Sequence, residues 1–233
     1  MRMNRIIILL IGLTFFSCNR TKVARENTVI QDTIPQVKSI EIVLSDTLTN
    51  LFNKALVADT LEFIDIIDEL EYPKSFLYYK SGHIISENEK NALVVTCPTD
   101  TTYSVKLYTI QNDKWNFIDS INGLDAFPVQ FDVMFNDYNF DGQTDIYIQV
   151  TASNGWSLSR GHLITIEPQT KKLELHKEAR ELANMTPDKK SKTVKSELWN
   201  GWDIEGQQLT IFTNKWINGQ LKTINKKNIT ITD

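Results

Sequence analysis

Nine consecutive residues, Asp137, Tyr138, Asn139, Phe140, Asp141, Gly142, Gln143, Thr144 and Asp145, are of types and spacing that could do chemistry. Oxygen-bearing side chains fall at positions 1, 3, 5 and 9, glycine stands at 6, and a backbone carbonyl is available at 7. A hard cation takes roughly six to eight oxygen ligands at close range, and this spacing draws them from one tight turn. Gly142 permits the sharp bend because it has no Cβ to restrict its backbone angles. Asp137, Asp141 and Asp145 crowd three negative charges together, which is unfavourable without a counter-ion. The expected ligand is calcium, held by the side chains of Asp137, Asn139 and Asp141, the Gln143 carbonyl, and Asp145 directly or through water. The alternative is a metal-free turn, since Asp, Asn and Gly favour turns unaided. A plain turn, however, gives no reason for oxygen donors at every second position.

The stretch differs from an EF-hand loop in two ways. Position 12, where that motif has a bidentate glutamate, is Ile148. The flanks also read as strands: Val129 to Phe135 alternates in polarity, and Ile146 to Val150 is β-branched or aromatic. The loop is therefore expected to join two strands, with Asp132 or water supplying a missing ligand.

The elements around it read mostly as strands. Candidates are Leu61 to Ile66, Ser75 to Tyr79, Leu93 to Thr96, Tyr103 to Ile110, Trp115 to Ile118, His162 to Ile166 and Lys172 to Leu175. Near the C-terminus come Leu209 to Phe212, Lys215 to Ile217, Gln220 to Ile224 and Ile229 to Ile231. Asn112-Asp113-Lys114 and Asn218-Gly219 are hairpin signals, the second the stronger because both residues tolerate a positive φ. One short helix is expected from Ser45, capped by Ser45 or Asp46, with Leu48, Leu51, Phe52, Ala55 and Leu56 at helical spacing. Glu178 to Met185 is expected to hold a single helical turn. The expected fold is all-β: short antiparallel strands in a propeller-like or irregular multi-sheet arrangement, with one short helix.

Composition narrows the function. The 233-residue chain holds 25 basic and 29 acidic residues, and without residues 1–17, which include Arg2 and Arg5, its net charge is −6. No basic cluster stands out along the sequence, so no nucleic-acid partner is expected. Cys97 is read as a small buried core residue. His83, His162 and His176 lack metal-ligand spacing, and the latter two read as solvated or hydrogen-bonded surface residues. Glu178 and Glu181 read as a solvated turn. No nucleophile elbow, P-loop or zinc-protease motif occurs, and no catalytic residue is assigned. Trp156, in the loop Ser153 to Ser157 close to the metal stretch, is the candidate for contact with a partner.

The N-terminus reads as a targeting segment. Arg2 and Arg5 precede an eleven-residue apolar run, Ile6 to Phe16, too short to span a bilayer, and Ser17-Cys18 follows. This resembles a bacterial lipoprotein signal, with an ordinary secretory signal as the alternative. The resemblance implies removal of residues 1–17, lipidation of Cys18, and a tether over 18–38 ahead of a β domain over 39–233. Asn19-Arg20-Thr21-Lys22 carries no acidic export signal, which by the same resemblance points to the outer membrane, facing the periplasm. With Cys18 lipidated, Cys97 would have no intramolecular disulfide partner.

Two further resemblances concern the domain. The loop 137–145 and its following strand resemble the calcium loop of FG-GAP and VCBS-type repeats, which build β-propeller blades. The order of Glu167-Pro168-Gln-Thr170, Glu181-Leu-Ala-Asn184, the lysine-rich Asp188 to Ser196 and Lys215-Trp216-Ile217-Asn218-Gly219 resembles a family of bacterial periplasmic proteins and lipoproteins. Some members inhibit peptidoglycan-cleaving enzymes as lysozyme inhibitors or immunity proteins. The implied function is a non-enzymatic envelope module that binds a protein, such as a peptidoglycan hydrolase; the alternative is a structural or adhesive envelope lipoprotein. Anchoring is directly testable. Cys18→Ser is expected to move the protein from the membrane fraction to the soluble fraction or leave it unprocessed, and unchanged fractionation and mobility would rule the anchor out.

Overall fold

The computed structural model describes residues 40–65, 76–99, 101–151, 158–203 and 206–231, all within one compact unit, Lys38–Asp233. Among them the fold is all-β, built from three antiparallel sheets that do not close into a barrel. The first sheet comprises β1 (Leu61–Asp65), β2 (Leu77–Ser86), β3 (Glu89–Thr99), β4 (Thr102–Gln111) and β5 (Lys114–Asp125). The second comprises β6 (Asp132–Asn136), β7 (Asp145–Thr151), β8 (Arg160–Ile166) and β9 (Leu173–His176). The third comprises β10 (Ala183–Asp188), β11 (Thr193–Asp203), β12 (Gly206–Ile217) and β13 (Gln220–Ile231). Within every sheet each strand pairs with its neighbour in sequence, so each sheet is a contiguous meander.

Strand alternation divides the apolar residues among three cores. Ile146 and Ile148 of β7, with Ile164 and Ile166 of β8, join Phe76, Tyr78, Leu93, Val95, Val105 and Leu107 of the first sheet region. The intervening Tyr147 and Leu163 turn the other way and meet Val194 and Leu221 of the third sheet and Ala179 of a 3-10 turn, Lys177–Glu181. β7 and β8 are thus covered on both faces, which explains their nearly unbroken apolar sequence. The third core seats the helix α1 (Ile40–Val57) through Leu51 and Ala55 on Leu77, Tyr79, Ala92 and Val94. Trp115 fixes that contact by donating from Nε1 to the Phe52 carbonyl at 2.9 Å.

Several elements differ from their sequence reading for identifiable reasons. The helix begins at Ile40 rather than Ser45, and Ser45 and Asp46 are exposed interior positions. Short polar side chains resemble caps in sequence yet are tolerated inside a helix when solvated. Leu209 to Phe212 and Lys215 to Ile217 belong to one strand, because the intervening Asn214 is buried with its hydrogen bonds made. Its Nδ2 donates to the Val194 carbonyl at 3.0 Å and Ser196 Oγ at 2.9 Å, and its Oδ1 accepts from Thr223 Oγ1 at 2.7 Å. β10 and β11 carry no strong apolar alternation because Thr193 and Ser196 occupy buried positions. Cys97 is half-buried beside the first core rather than within it.

Candidate metal centre

β6 and β7 pair in register from Asp132↔Gln149 to Asn136↔Asp145, and the loop closes that hairpin. Its short polar side chains bond back to their own backbone. Asp137 accepts from the Asp141 amide at 3.2 Å through Oδ1 and from the Gly142 amide at 3.1 Å through Oδ2. Asn139 Oδ1 accepts from the Asp141 amide at 3.0 Å, and its Nδ2 donates to Asp141 Oδ2 at 2.9 Å. Asp141 Oδ1 accepts from the Gln143 amide at 2.7 Å. Gly142 adopts φ +91°, and Phe140 is held at φ +62°, a conformation uncommon for a bulky residue. Packing holds it there: Tyr138 and Phe140 both enter the second core, and the Tyr138 and Tyr147 rings lie 6.0 Å apart.

Asp145 differs from the other donors because it has no exposure to solvent. Its Oδ2 accepts from the amides of Tyr138 at 2.8 Å and Asn139 at 3.1 Å. Its Oδ1 is buried with no hydrogen-bond partner. Burial pushes the Asp145 carboxyl up to about 7, and the Asp141 and Asp137 charges add to the rise while the two amides oppose it. An orphaned carboxylate oxygen beside two more carboxylates is the environment a cation relieves. The all-oxygen donor set suits a hard ion.

Asp137, Asn139, Asp141 and Asp145 are therefore brought together in one loop. Among the described residues no group of three or more His, Cys, Asp and Glu forms a ready metal cage. Asn139 and the Gln143 carbonyl add neutral oxygens to the carboxylates, and the Asp137 and Asp141 oxygens are already turned toward loop amides. The Gln143 side chain points elsewhere: Oε1 accepts from Lys171 Nζ at 3.2 Å and Nε2 donates to the Ile166 carbonyl at 3.5 Å. Asp132 is a correction. It lies at the far end of β6, four residues and about 13 Å of strand from Asn136, and accepts from the Val133 amide. Ile148, fully buried in the first core, supplies no ligand. Cys18 and Trp156 lie outside the described residues.

The loop is also where the sheets are tied together. The Thr144 amide donates to the Ile85 carbonyl of β2 at 3.0 Å. Lys171, which binds Gln143, also reaches Glu89 of β3 at 3.5 Å. Trp216 of β12 donates from Nε1 to the Tyr138 carbonyl at 2.7 Å. Donor spacing revealed none of these supports. The one local signal was the aromatic residue set between successive donors.

The histidine readings are corrected here as well, since His162 and His176 are both buried. His162 Nε2 sits 3.0 Å from Asp125 Oδ1, and Arg180 Nη2 lies 2.6 Å from Asp125 Oδ2. Burial lowers the His162 pKa, and the Arg180 hydrogen bond holds Asp125 below its usual range. His176 Nε2 meets Thr165 Oγ1 at 2.8 Å, and its ring stands edge-on to Trp216 with centroids 4.7 Å apart. Glu178 Oε1 accepts from the Leu221 amide at 3.2 Å, which ties the 3-10 turn to β13.

Comparison with models of known protein families finds no match, and no curated protein matches the chain. Trp216→Phe is expected to cost about 1–2 kcal/mol by deleting the bond to the Tyr138 carbonyl. It should also speed hydrogen exchange of the amides of residues 138–142 beyond that global loss. Exchange slowed or unchanged there would show that the loop does not depend on the third sheet.

Proposed function

We propose that residues 137–145 form a structural calcium site in a lipid-anchored, non-catalytic module of the bacterial envelope that recognises a protein partner. The observation that carries the metal is Asp145 Oδ1, a fully buried carboxylate oxygen without a donor. Asp137, Asn139, Asp141, Asp145 and the Gln143 carbonyl would hold the ion. Bound there, calcium supplies charge neutralisation and a partner for the orphaned oxygen. The protein's own contribution is to hold the loop by Tyr138, Phe140 and Trp216, so that neighbouring surfaces keep a fixed shape.

The lipid anchor rests on Arg2, Arg5, the apolar run and Cys18. Among the described residues no helix is long and apolar enough to cross a membrane. The partner class rests on the resemblance across residues 137–224, which points to peptidoglycan-cleaving enzymes. Trp156 is the candidate contact, of the aromatic type that often dominates an interface.

Calcium is expected to raise the melting temperature with a Kd of roughly 10⁻⁴–10⁻³ M, adding about 2.7 kcal/mol at a hundredfold excess over Kd. Asp145→Asn should abolish that rise while staying within about 1 kcal/mol of wild type in chelator, because it removes an uncompensated buried charge. A wild type indifferent to millimolar calcium would end the metal assignment. Partner recognition has a separate readout, clearing of purified peptidoglycan by lysozyme-type hydrolases with the domain titrated in. Inhibition that weakens with chelator supports the reading. If no hydrolase is inhibited at micromolar domain, the structural or adhesive alternative takes its place.

A further inference from the structure

The third sheet gathers lysines that the sequence scatters. Residues 183–231 carry eight lysines, no arginine and four carboxylates, in a chain of formal net charge −4. Strand pairing sets Lys195 opposite Thr213, Lys227 opposite Ile211, and Lys215 opposite Lys222. Paired residues share a face and alternate residues repeat it, so these four lysines stand on one face of β11, β12 and β13. Val194, Trp216 and Leu221 take the opposite face and close the second core. Folding therefore brings Lys215, Lys222 and Lys227 to the same face as Lys195 of the lysine-rich stretch Asp188 to Ser196.

All four lysines are exposed, and among the described residues none forms a salt bridge. Two described carboxylates share that face, Glu197 and, through its pairing with Thr193, Asp188; Glu197 is held by Asn184 Nδ2 at 2.8 Å. Asp188, whose charged form is favoured mainly by Ser191 and least by Lys195, sits at one end of the sheet. Like charges directly opposite each other on a sheet are destabilising, so the Lys215–Lys222 pair is a cost that no ion pair among the described residues offsets. Protection of the β13 edge does not account for it, because Lys195 and Lys215 lie on interior strands. On the same face Ile211 lies among the lysines and Trp199, Leu209 and Ile229 form the adjoining row, and none of these joins a hydrophobic core.

We infer that this face docks onto an anionic lipid surface. Lysine stems can lie along apolar groups while their ammonium heads reach outward to phosphates, and an open sheet face suits a flat partner. A nucleic-acid surface would favour arginine forks and several aromatic stacking platforms, and among the described side chains the face offers no arginine and one tryptophan. The inference requires neither the acyl anchor nor calcium.

The test uses the processed chain from residue 18 as Cys18→Ser, so that no acyl chain contributes; it retains the whole compact unit from Lys38. It is sedimented with vesicles of phosphatidylcholine alone or of phosphatidylcholine and phosphatidylglycerol in equal parts. Binding is expected to the anionic vesicles only, weakening as salt rises. Each lysine near such a surface is worth about fivefold in affinity, so Lys215→Glu with Lys222→Glu should weaken binding by about 25-fold or more. The same charge change at exposed positions off this face, Lys114→Glu with Lys177→Glu, should weaken it far less. Lys222→Glu alone should raise the melting temperature by converting a repulsive pair to an attractive one, while lowering vesicle binding. That opposition of signs excludes misfolding as the cause. No binding, equal binding to both vesicle types, or equal losses in the two double variants would overturn the inference. So would tight, Lys215/Lys222-dependent binding of heparin without vesicle binding, which would point to an acidic polymer instead.

Discussion

A carboxylate oxygen sealed from water must find a donor, a proton or a cation, and Asp145 Oδ1 has no donor within reach. The position of that constraint gives it weight. The surrounding loop is bonded to the first sheet through Ile85, to the second through Ile166 and Lys171, and to the third through Trp216. Each of these bonds contributes only about 1 kcal/mol in net terms. Because they converge on one short turn, whatever fixes the turn fixes the attachment of all three sheets. A cation there would do structural work, and nothing about its role calls for a reactive side chain nearby.

The same geometry explains what the sequence could and could not reveal. Donors at alternate positions with glycine at the bend were legible because they are local in sequence. So were the hairpin turns: Asn112, Asp113, Asn218 and Gly219 all adopt the positive φ that their residue types allow. The support of the loop was not legible, since Trp216 is 78 residues from Tyr138 and no spacing rule connects them. Asp132 is no ligand because four residues of extended strand separate it from Asn136 at the start of the loop, a distance that residue types alone do not show. Asn214 was read as a break because its burial is offset by a polar network whose other members lie on β11 and β13. Buried histidines failed for the same reason. Their partners Asp125 and Thr165 come from other strands, and only tertiary structure shows the polar ring satisfied.

One hairpin connects the loop to the lysine face. Trp216 and Leu221 pair across β12 and β13 with their side chains inward, so the adjacent Lys215 and Lys222 must point outward. Ordering of Trp216 by the Tyr138 carbonyl therefore also orders the strand that presents the facing lysines. The coupling this would permit between a cation in the loop and a surface on the lysines has two parts. The Trp216 hydrogen bond is worth about 1 kcal/mol, or about fivefold in mutual affinity, and the packing of Tyr138 and Phe140 in the core shared with Trp216 and Leu221 adds to it. Reciprocity also means that a surface engaging Lys215 and Lys222 would tighten the loop by no more than calcium tightens the face. The loop and the lysine face are therefore joined through the two faces of one hairpin, with Trp216 and Leu221 turned toward the loop and Lys215 and Lys222 on the other side.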